Sequence, residues 1–562
     1  MFLPTTRAEM EVREWDQLDV ILVTGDAYID SPFIGVAVIG HVLADVGYRV
    51  GIIAQPDIHA PDDITRLGEP TLFWGVSGGS IDSMVANYTA LKKPRRSDDY
   101  TPGGRNTRRP DRAVIVYTNL IKRYFKETAP IVLGGIEASL RRVAHYDYWD
   151  DAIRRSVLLD AKADYLIYGM AEQSVLAFAD AMRFGDDDPR HLQGLCYVDS
   201  TPQKGYVTLP SYEEVRAGKH AFIEMFHTFY RNNDPRSAQG LTQRYDNRHL
   251  IHNPPPPYLT QDELDEVYAL DFERDAHPFY KRQGEIKALR TINFAVNTHR
   301  GCYGECNFCA IAVHEGRTVR WRSQDSIVEE AHALTRQPGF KGYIQDVSAP
   351  TANMYGFECA KKQQQGACPD RRCITPEVCP SLPVDHSQHL ELLRRLRDLP
   401  GVKKVFVSSG VRYDLLLHDE AHGDDYLDEV VKHHVSGQMK VAPEHTEARV
   451  LRAMGKPGPE DLVEFRKRFF EATERAGLPQ FLTYYFIAAH PGCTERDMRR
   501  LRQFAVEKLE LLPEQVQIFT PTPSTYASLM YYTELDPFTG EPLFVEKNFK
   551  GKRRQKDIVT PD

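Results

Sequence analysis

Three cysteines in one short stretch carry the first chemical signal: Cys302-x3-Cys306-x2-Cys309, within HRGCYGECNFCAIAVHEGR. Three thiolates on one loop can ligate three irons of a cubane and leave the fourth open to a small molecule. Gly301 and Gly304 let such a loop turn tightly with no Cβ in the way. The alternative for these residues is structural zinc, with His299 or His314 as the fourth ligand. A second set follows: Cys359-x8-Cys368-x4-Cys373-x5-Cys379, in a polar insertion over residues 355–383. So polar a segment is expected to bury little apolar surface, and four thiolates on one metal would hold it together. An auxiliary iron–sulfur cluster, a zinc ion and unliganded thiols all match the spacing.

Both sets lie in a stretch where strand and helix patterns alternate. Strands are expected at Thr291–Asn297, Gly342–Val347, Lys403–Ser409, Gln438–Ala442, Phe481–Ile487 and Gln515–Phe519. Ser326 with Glu329, and Thr494 with Asp497, have the spacing of capping boxes, and Pro459-Glu460-Asp461 suits a first helical turn. Six βα units fall short of the eight of a closed barrel and predict an open, partial one. The cysteine triplet sits just after its first strand.

The N-terminal part alternates in the same way. Strands are expected at Asp19–Thr24, Arg49–Ala54, Thr71–Gly75, Ala113–Thr118, Ile131–Leu133 and Ala163–Tyr168, with a helix over Ile34–Val46. The pattern predicts a parallel, doubly wound α/β sheet whose ligands would sit at the carboxyl ends of the strands. The expected layout is an α/β domain over residues 1–198, a polar connector over 199–285 containing the run Pro254–Pro257, the partial barrel over 286–530, and an irregular basic tail over 531–562.

Composition agrees with a globular chain of two or three domains: 562 residues, 27% charged, 42% hydrophobic. A net charge of −9 gives no overall pull toward nucleic acid or anionic membrane. The first residues, MFLPTTRAEMEVREW, have acidic residues where a signal peptide needs an apolar core, and no apolar stretch is long enough to span a bilayer. A cytoplasmic protein without membrane contact is expected, and in that setting clustered cysteines point to metal rather than disulfides.

The triplet spacing, Phe308 before the third cysteine and the six βα units together resemble the radical S-adenosylmethionine (SAM) superfamily. The strings GDAYID, GYRVGIIAQPD, LGGIEASLRR, AHYDYWDDAIRRSVL, APTANMYG, SSGVRYD, KVAPEHT, YYFIAAHPG and MYYT narrow this to a resemblance to the YgiQ-type family, running from about Asp19 to Tyr532. The resemblance implies an enzyme with a 4Fe–4S cluster on Cys302, Cys306 and Cys309. SAM would chelate the open iron and be cleaved by one electron to methionine and a 5′-deoxyadenosyl radical. It also implies an electron donor such as flavodoxin or ferredoxin, and it names no substrate. By analogy with related barrels, Phe308, Ser348, Ser409, Arg412 and Glu444 would hold SAM, with His445 at the same mouth: Ser348-Ala349 stand where the family typically has two glycines, Arg412 would pair with the SAM carboxylate, and Glu444 would accept from the ribose. PIVLGGIEAS, in which a strand ends in two glycines, is similar to cobalamin-binding domains, but the Asp-x-His-x-x-Gly loop of their His-ligated form does not occur, so cobalamin stays an unsupported alternative. Glu137, Arg141 and Arg142 are expected to face the barrel mouth. The basic stretches Lys92–Arg96 and Arg105–Arg112, with Tyr100 between them, support a competing reading as a zinc protein on RNA, with Arg108 and Arg109 as phosphate contacts.

Overall fold

The computed structural model describes residues 1–185 and 188–560. It contains two compact units, Met1–Tyr258 with Glu266–Asn293, and Leu259–Asp265 with Phe294–Asp562.

The first unit is built on a nine-stranded sheet. Val20–Thr24 lies between two parallel neighbours, Val50–Ala54 and Phe73–Ser77, and Ile131–Gly134 and Tyr165–Ile167 continue the parallel run beyond Phe73–Ser77. In chain order this is 2-1-3-4-5, a doubly wound arrangement whose order reverses between Val20–Thr24 and Phe73–Ser77. Every residue of Val20–Thr24 and Val50–Ala54 is buried, which is why both strands are unbroken apolar runs.

Two expectations fail here. Ala113–Thr118 is part of a helix, Ala113–Tyr124; its β-branched residues suggest a strand, but Ala113, Val114, Tyr117, Thr118, Leu120 and Ile121 make one buried helical face. The region expected as a connector instead extends the sheet. Leu195–Asp199 pairs antiparallel with Tyr165–Ile167, and Arg248–His252, Leu241–Tyr245 and Val207–Leu209 follow outward. These strands carry exposed residues and so look polar in sequence. The helix Lys219–Arg231 buries Phe222, Met225, Phe226, Phe229 and Tyr230, a spacing that was present in the sequence.

Arg142 ties these parts together from within. Its fully buried guanidinium lies over Tyr168 (4.4 Å) and Phe229 (4.5 Å). It donates to His252 Nε2 (2.9 Å), Asn233 Oδ1 (2.7 Å) and Ser139 O (2.5 Å). Glu137 and Arg141 are also buried: Glu137 accepts from the Ser83 and Val114 N–H groups, and Arg141 bridges Asp82 and Asp147. All three are interior residues rather than mouth residues. Arg109 is committed internally as well, to Asp26 (2.7 Å) and Asp98 (3.1 Å), and Arg112 pairs with Asp150 (2.8 Å). The basic stretch therefore loses Arg109 as a phosphate contact.

The second unit carries the expected six-strand series. Ala295–Asn297 pairs in parallel with Asp346–Ser348, Tyr343–Ile344 with Lys404–Val405, and Phe481–Ala488 with both Gln438–Glu444 and Gln515–Ile518. Burial alternates along Phe481–Ala488, placing Leu482, Tyr484, Phe486 and Ala488 against the helical layer. Thr494 and Asp497 form the expected capping box of the helix Glu495–Phe504. The other helix starts earlier than expected, because Ser323 rather than Ser326 is its N-cap. The C-terminal segment is not irregular: Tyr526–Thr533 and Phe549–Val559 are helices, and Lys552 is buried with its Nζ on Tyr531 Oη (3.0 Å). Among the described residues, no helix is long and apolar enough to cross a membrane.

Replacing Arg142 with Ala removes a buried donor shared by His252, Asn233 and the Ser139 carbonyl and leaves a cavity, so Arg142→Ala should lower the unfolding free energy of the first unit by about 3 kcal/mol. Urea denaturation of the variant beside the parent chain measures this.

Candidate functional site

The cysteine loop leaves the first strand of the second unit and is tied at several points. His299–Arg300 pairs antiparallel with Arg320–Trp321, closing the loop at its base. Gly301 has φ +83°, and a Cβ there would run into the Thr318 carbonyl, so glycine is required. Its N–H donates to Glu315 (3.0 Å). Asn307 fixes the middle of the loop to the end of the helix Ala448–Met454, donating from its backbone to Met454 O (2.8 Å) and from its side chain to Ala453 O (2.9 Å).

The three thiols are gathered by this loop. A Cβ on Gly304 would lie 3.2 Å from Cys302 Sγ, 3.5 Å from Cys306 Sγ and 3.5 Å from Arg412 Nη1, so the open face of this glycine is ringed by two sulfurs and a guanidinium. The Gly304 N–H donates to Cys302 Sγ (3.3 Å), Thr351 Oγ1 lies 3.7 Å from the same sulfur, and Arg412 Nη1 lies 3.9 Å from Cys306 Sγ. Burial, and then the neighbouring Cys306, push the Cys302 and Cys309 thiols upward. Among the described residues no three His, Cys, Asp or Glu side chains converge on a single ion. Three thiols on one loop are the donor set of a thiolate-ligated cluster, and the N–H and O–H groups around their sulfurs are its usual outer partners.

The residues expected to hold SAM are partly brought together. The Ser348 carbonyl accepts the Thr298 N–H (3.0 Å) and is taken by the sheet, while the Ser348 hydroxyl lies 3.4 Å from Ser409 Oγ. Ser409 in turn donates to Asp346 (2.6 Å), which also accepts the backbone N–H groups of Ser408 and Ser409. Arg412 differs from expectation. Its Nε and Nη2 hold the Asp414 carboxylate as a fork, so that bidentate geometry is not free for a ligand. His445 also turns away: it is buried, its Nδ1 accepts the Glu447 N–H (3.0 Å), and its Nε2 lies 3.5 Å from Cys493 Sγ. Phe308 meets the buried His490 ring edge-on at 6.2 Å.

Glu444 stands at the end of its strand, beside a register shift, with φ +67°. A non-glycine residue held there is strained, a cost that recurs at ligand sites. Burial pushes its carboxyl up to about 7, against the pull of Lys456 and Arg412.

The second cysteine set is only partly gathered. Cys359, Cys373 and Cys379 join one apolar cluster with Cys302, Tyr303, Met354, Phe357, Ile374 and Leu382, of which Cys368 is not a member. The insertion therefore buries apolar residues against the primary cysteine loop, contrary to the expectation from its polarity. Lys362 is buried within it, donating to the Arg317 carbonyl and lying 3.6 Å from Glu358 and 3.7 Å from Cys373 Sγ. Sequence reasoning assigned no role to Asn353, Asp414, Lys456 or His490. Asp414 lies within SSGVRYD, but Arg412 is the N-cap of the helix Tyr413–His418 and Asp414 sits in its first turn, where a separation of two is not a helical pairing that patterns reveal.

Comparison with known proteins bears on this arrangement. The Radical SAM N-terminal family model matches residues 2–295, and the Radical SAM superfamily model matches residues 296–505. A UPF0313 protein of Fusobacterium nucleatum is 55% identical over 560 residues, covering 100% of this chain and 98% of that protein. A UPF0313 protein of Thermotoga maritima is 48% identical over 563 residues, with 100% and 98% coverage. The chain belongs to the UPF0313 family of radical SAM proteins, the YgiQ-type family that its sequence resembles. It is thus an enzyme of the radical SAM class, whose chemistry uses SAM and a 4Fe–4S cluster. The competing reading as a non-catalytic zinc protein falls with this finding. Among solved structures, the radical SAM methyltransferase TsrM of Kitasatospora setae, with tryptophan and a SAM analogue bound, shares the fold at TM-score 0.52 and 13% identity, covering 97% of this chain and 89% of that one. A second TsrM structure, with cobalamin and a 4Fe–4S cluster, gives 0.51 and 15%, covering 91% and 74%.

Two outcomes follow. Gly301→Ala should cost the loop most of its bound iron, as read by iron and sulfide content after anaerobic reconstitution. The native carboxyl of Glu444 holds its proton above the ordinary 4.5, so this residue subtracts stability as pH rises from about 4.5 to about 7. Glu444→Gln should remove that contribution, leaving a smaller difference between urea midpoints at about pH 5 and about pH 8 than in the parent chain.

Proposed function

We propose that the chain binds a 4Fe–4S cluster through Cys302, Cys306 and Cys309, cleaves SAM reductively at the open iron, and directs the resulting radical at a substrate held near the carboxyl ends of the six strands. The observation that carries this is the ring of Cys302, Cys306 and Arg412 around Gly304. The bound cluster supplies the electron. The protein holds the sulfurs on a half-buried loop and offers polar groups at the strand ends. Ser348 and Ser409, oriented by Asp346, are the hydroxyls placed for the SAM amino group, and the Glu444 carboxylate is the acceptor for the ribose. A small acidic redox protein such as flavodoxin or ferredoxin would deliver the electron, and a cytoplasmic location suits an oxygen-labile centre.

We further propose that this chemistry runs without cobalamin. The ligand position of a 2-1-3-4-5 sheet lies outside the carboxyl ends of Val20–Thr24 and Phe73–Ser77. Here a Cβ on Gly25 would strike the Gly78 carbonyl, and one on Gly79 would strike the Asp26 carboxylate. Asp26 accepts the Ser80 N–H (2.6 Å) and the Arg109 guanidinium (2.7 Å). Glu137 caps the Ser83 (2.8 Å) and Val114 (3.2 Å) N–H groups. The chain's own carboxylates fill the place of a bound cofactor. The second cysteine set is read as packed thiols, since Cys359, Cys373 and Cys379 lie in the apolar cluster that the insertion shares with the primary loop.

Anaerobically reconstituted protein given SAM and a strong reductant should yield 5′-deoxyadenosine, with about four irons per chain and neither zinc nor corrinoid. Cys302→Ala, Cys306→Ala and Cys309→Ala should each abolish both cluster and product. Intact iron content without 5′-deoxyadenosine would refute the radical reading, and iron near eight per chain would assign a second cluster to the insertion.

A further inference from the structure

We propose that Arg412 sets the reduction potential of the cluster, acting through the Cys306 thiolate; this deepens the cluster reading above and rests on it. The guanidinium is held on every side but one. Its backbone is clasped by Asn353, which accepts the Arg412 N–H (2.8 Å) and donates to the Arg412 carbonyl (2.9 Å). Asn353 is itself placed by His386 (3.0 Å), and His386 by Asp419, which takes both its Nδ1 (2.8 Å) and its backbone N–H (2.8 Å). These side chains are all buried.

The Arg412 side chain is about one-tenth exposed, and its Nε and Nη2 are committed to the two oxygens of Asp414. Only Nη1 is left, and it faces Cys306 Sγ at 3.9 Å. Four successive anchors, Asp419, His386, Asn353 and Asp414, thus fix the one free edge of a buried cation against a cluster ligand. Reduction adds a negative charge to the cluster. A nearby positive charge and an N–H···S contact both favour the reduced form and raise its potential. Asp414 acts in the opposite sense: it orients the guanidinium and offsets part of its charge.

The pair therefore makes a signed prediction that a purely structural role does not. The full chain is reconstituted anaerobically, its iron and sulfide are measured, and the cluster potential is read by a redox titration followed by electron paramagnetic resonance. Arg412→Gln should move the potential downward by about tenfold in the reduction equilibrium, equivalent to about 59 mV for one electron. Asp414→Asn should move it upward. Arg412→Lys, which keeps the charge and loses the fork, should lie between Arg412→Gln and the parent.

A loaded cluster whose potential is unchanged in Arg412→Gln overturns the proposal. So does a shift of the same sign in Arg412→Gln and Asp414→Asn. Where Arg412→Gln takes up no iron, Asp414→Asn decides: an upward shift supports the assignment, and no shift or a downward one overturns it. A parent chain that binds no cluster at all would instead refute the underlying reading.

Discussion

Gathering three half-buried thiols on a loop of eight residues, Cys302 to Cys309, is the constraint around which the second unit is organised. Thiolates brought this close repel one another, and burial alone would keep them protonated. The loop offers little apolar surface of its own, so its shape is imposed from outside. Asn307 is pinned to the helix end at Ala453 and Met454, Gly301 to Glu315, and the Tyr303 hydroxyl to the Phe357 carbonyl. The cysteine-rich insertion joins in this, because Arg372 donates to Asn307 Oδ1 (2.6 Å) and Lys362 stands over the Tyr303 ring at 4.9 Å. A segment that reads as a metal module in sequence serves in the structure as a brace for the primary loop.

The charges near the sulfurs are similarly constrained. Arg412 is desolvated, and only the fork on Asp414 makes a buried guanidinium affordable. The remaining polar groups, Asp346 with Ser408 and Ser409, join adjacent strand ends rather than standing free. The strand ends are therefore rigid before any ligand arrives, which suits a site that must hold a radical precursor in one orientation. Glu444 is the exception, strained in its backbone and raised in its ionisation, and so the residue there whose charge is most open to change on ligand binding.

The first unit shows how far fold and site can separate. Its parallel α/β class was legible from apolar runs, because strands buried on both faces leave no other pattern, while the strand order came only from the structure. Its ligand position was not legible. Gly25, Gly78 and Gly79 stand at the strand ends as glycines because Asp26, Glu137 and neighbouring backbone occupy the space a side chain would need. The outer strands were missed for a different reason: they carry polar residues such as Thr242, Gln243, Arg244, Arg248 and His249 and resemble a linker. Ala113–Tyr124 was misjudged because β-branched residues favour strands locally, and only packing of one helical face overrides that.

The sequence by itself determined the chemistry that must be accommodated: the three cysteines, the glycines that let their loop turn, and the six βα repeats that carry it, since these depend on residue type and short spacing. Tertiary structure alone decided which side chains surround that loop. Arg412 is 106 residues from Cys306, and Asn353, His386 and Asp419 are drawn from separate segments. Contacts between residues so far apart follow from how strands and helices pack, and no local period records them. The same packing turned His445 into the interior while leaving Glu444, its neighbour in the chain, at the strand end.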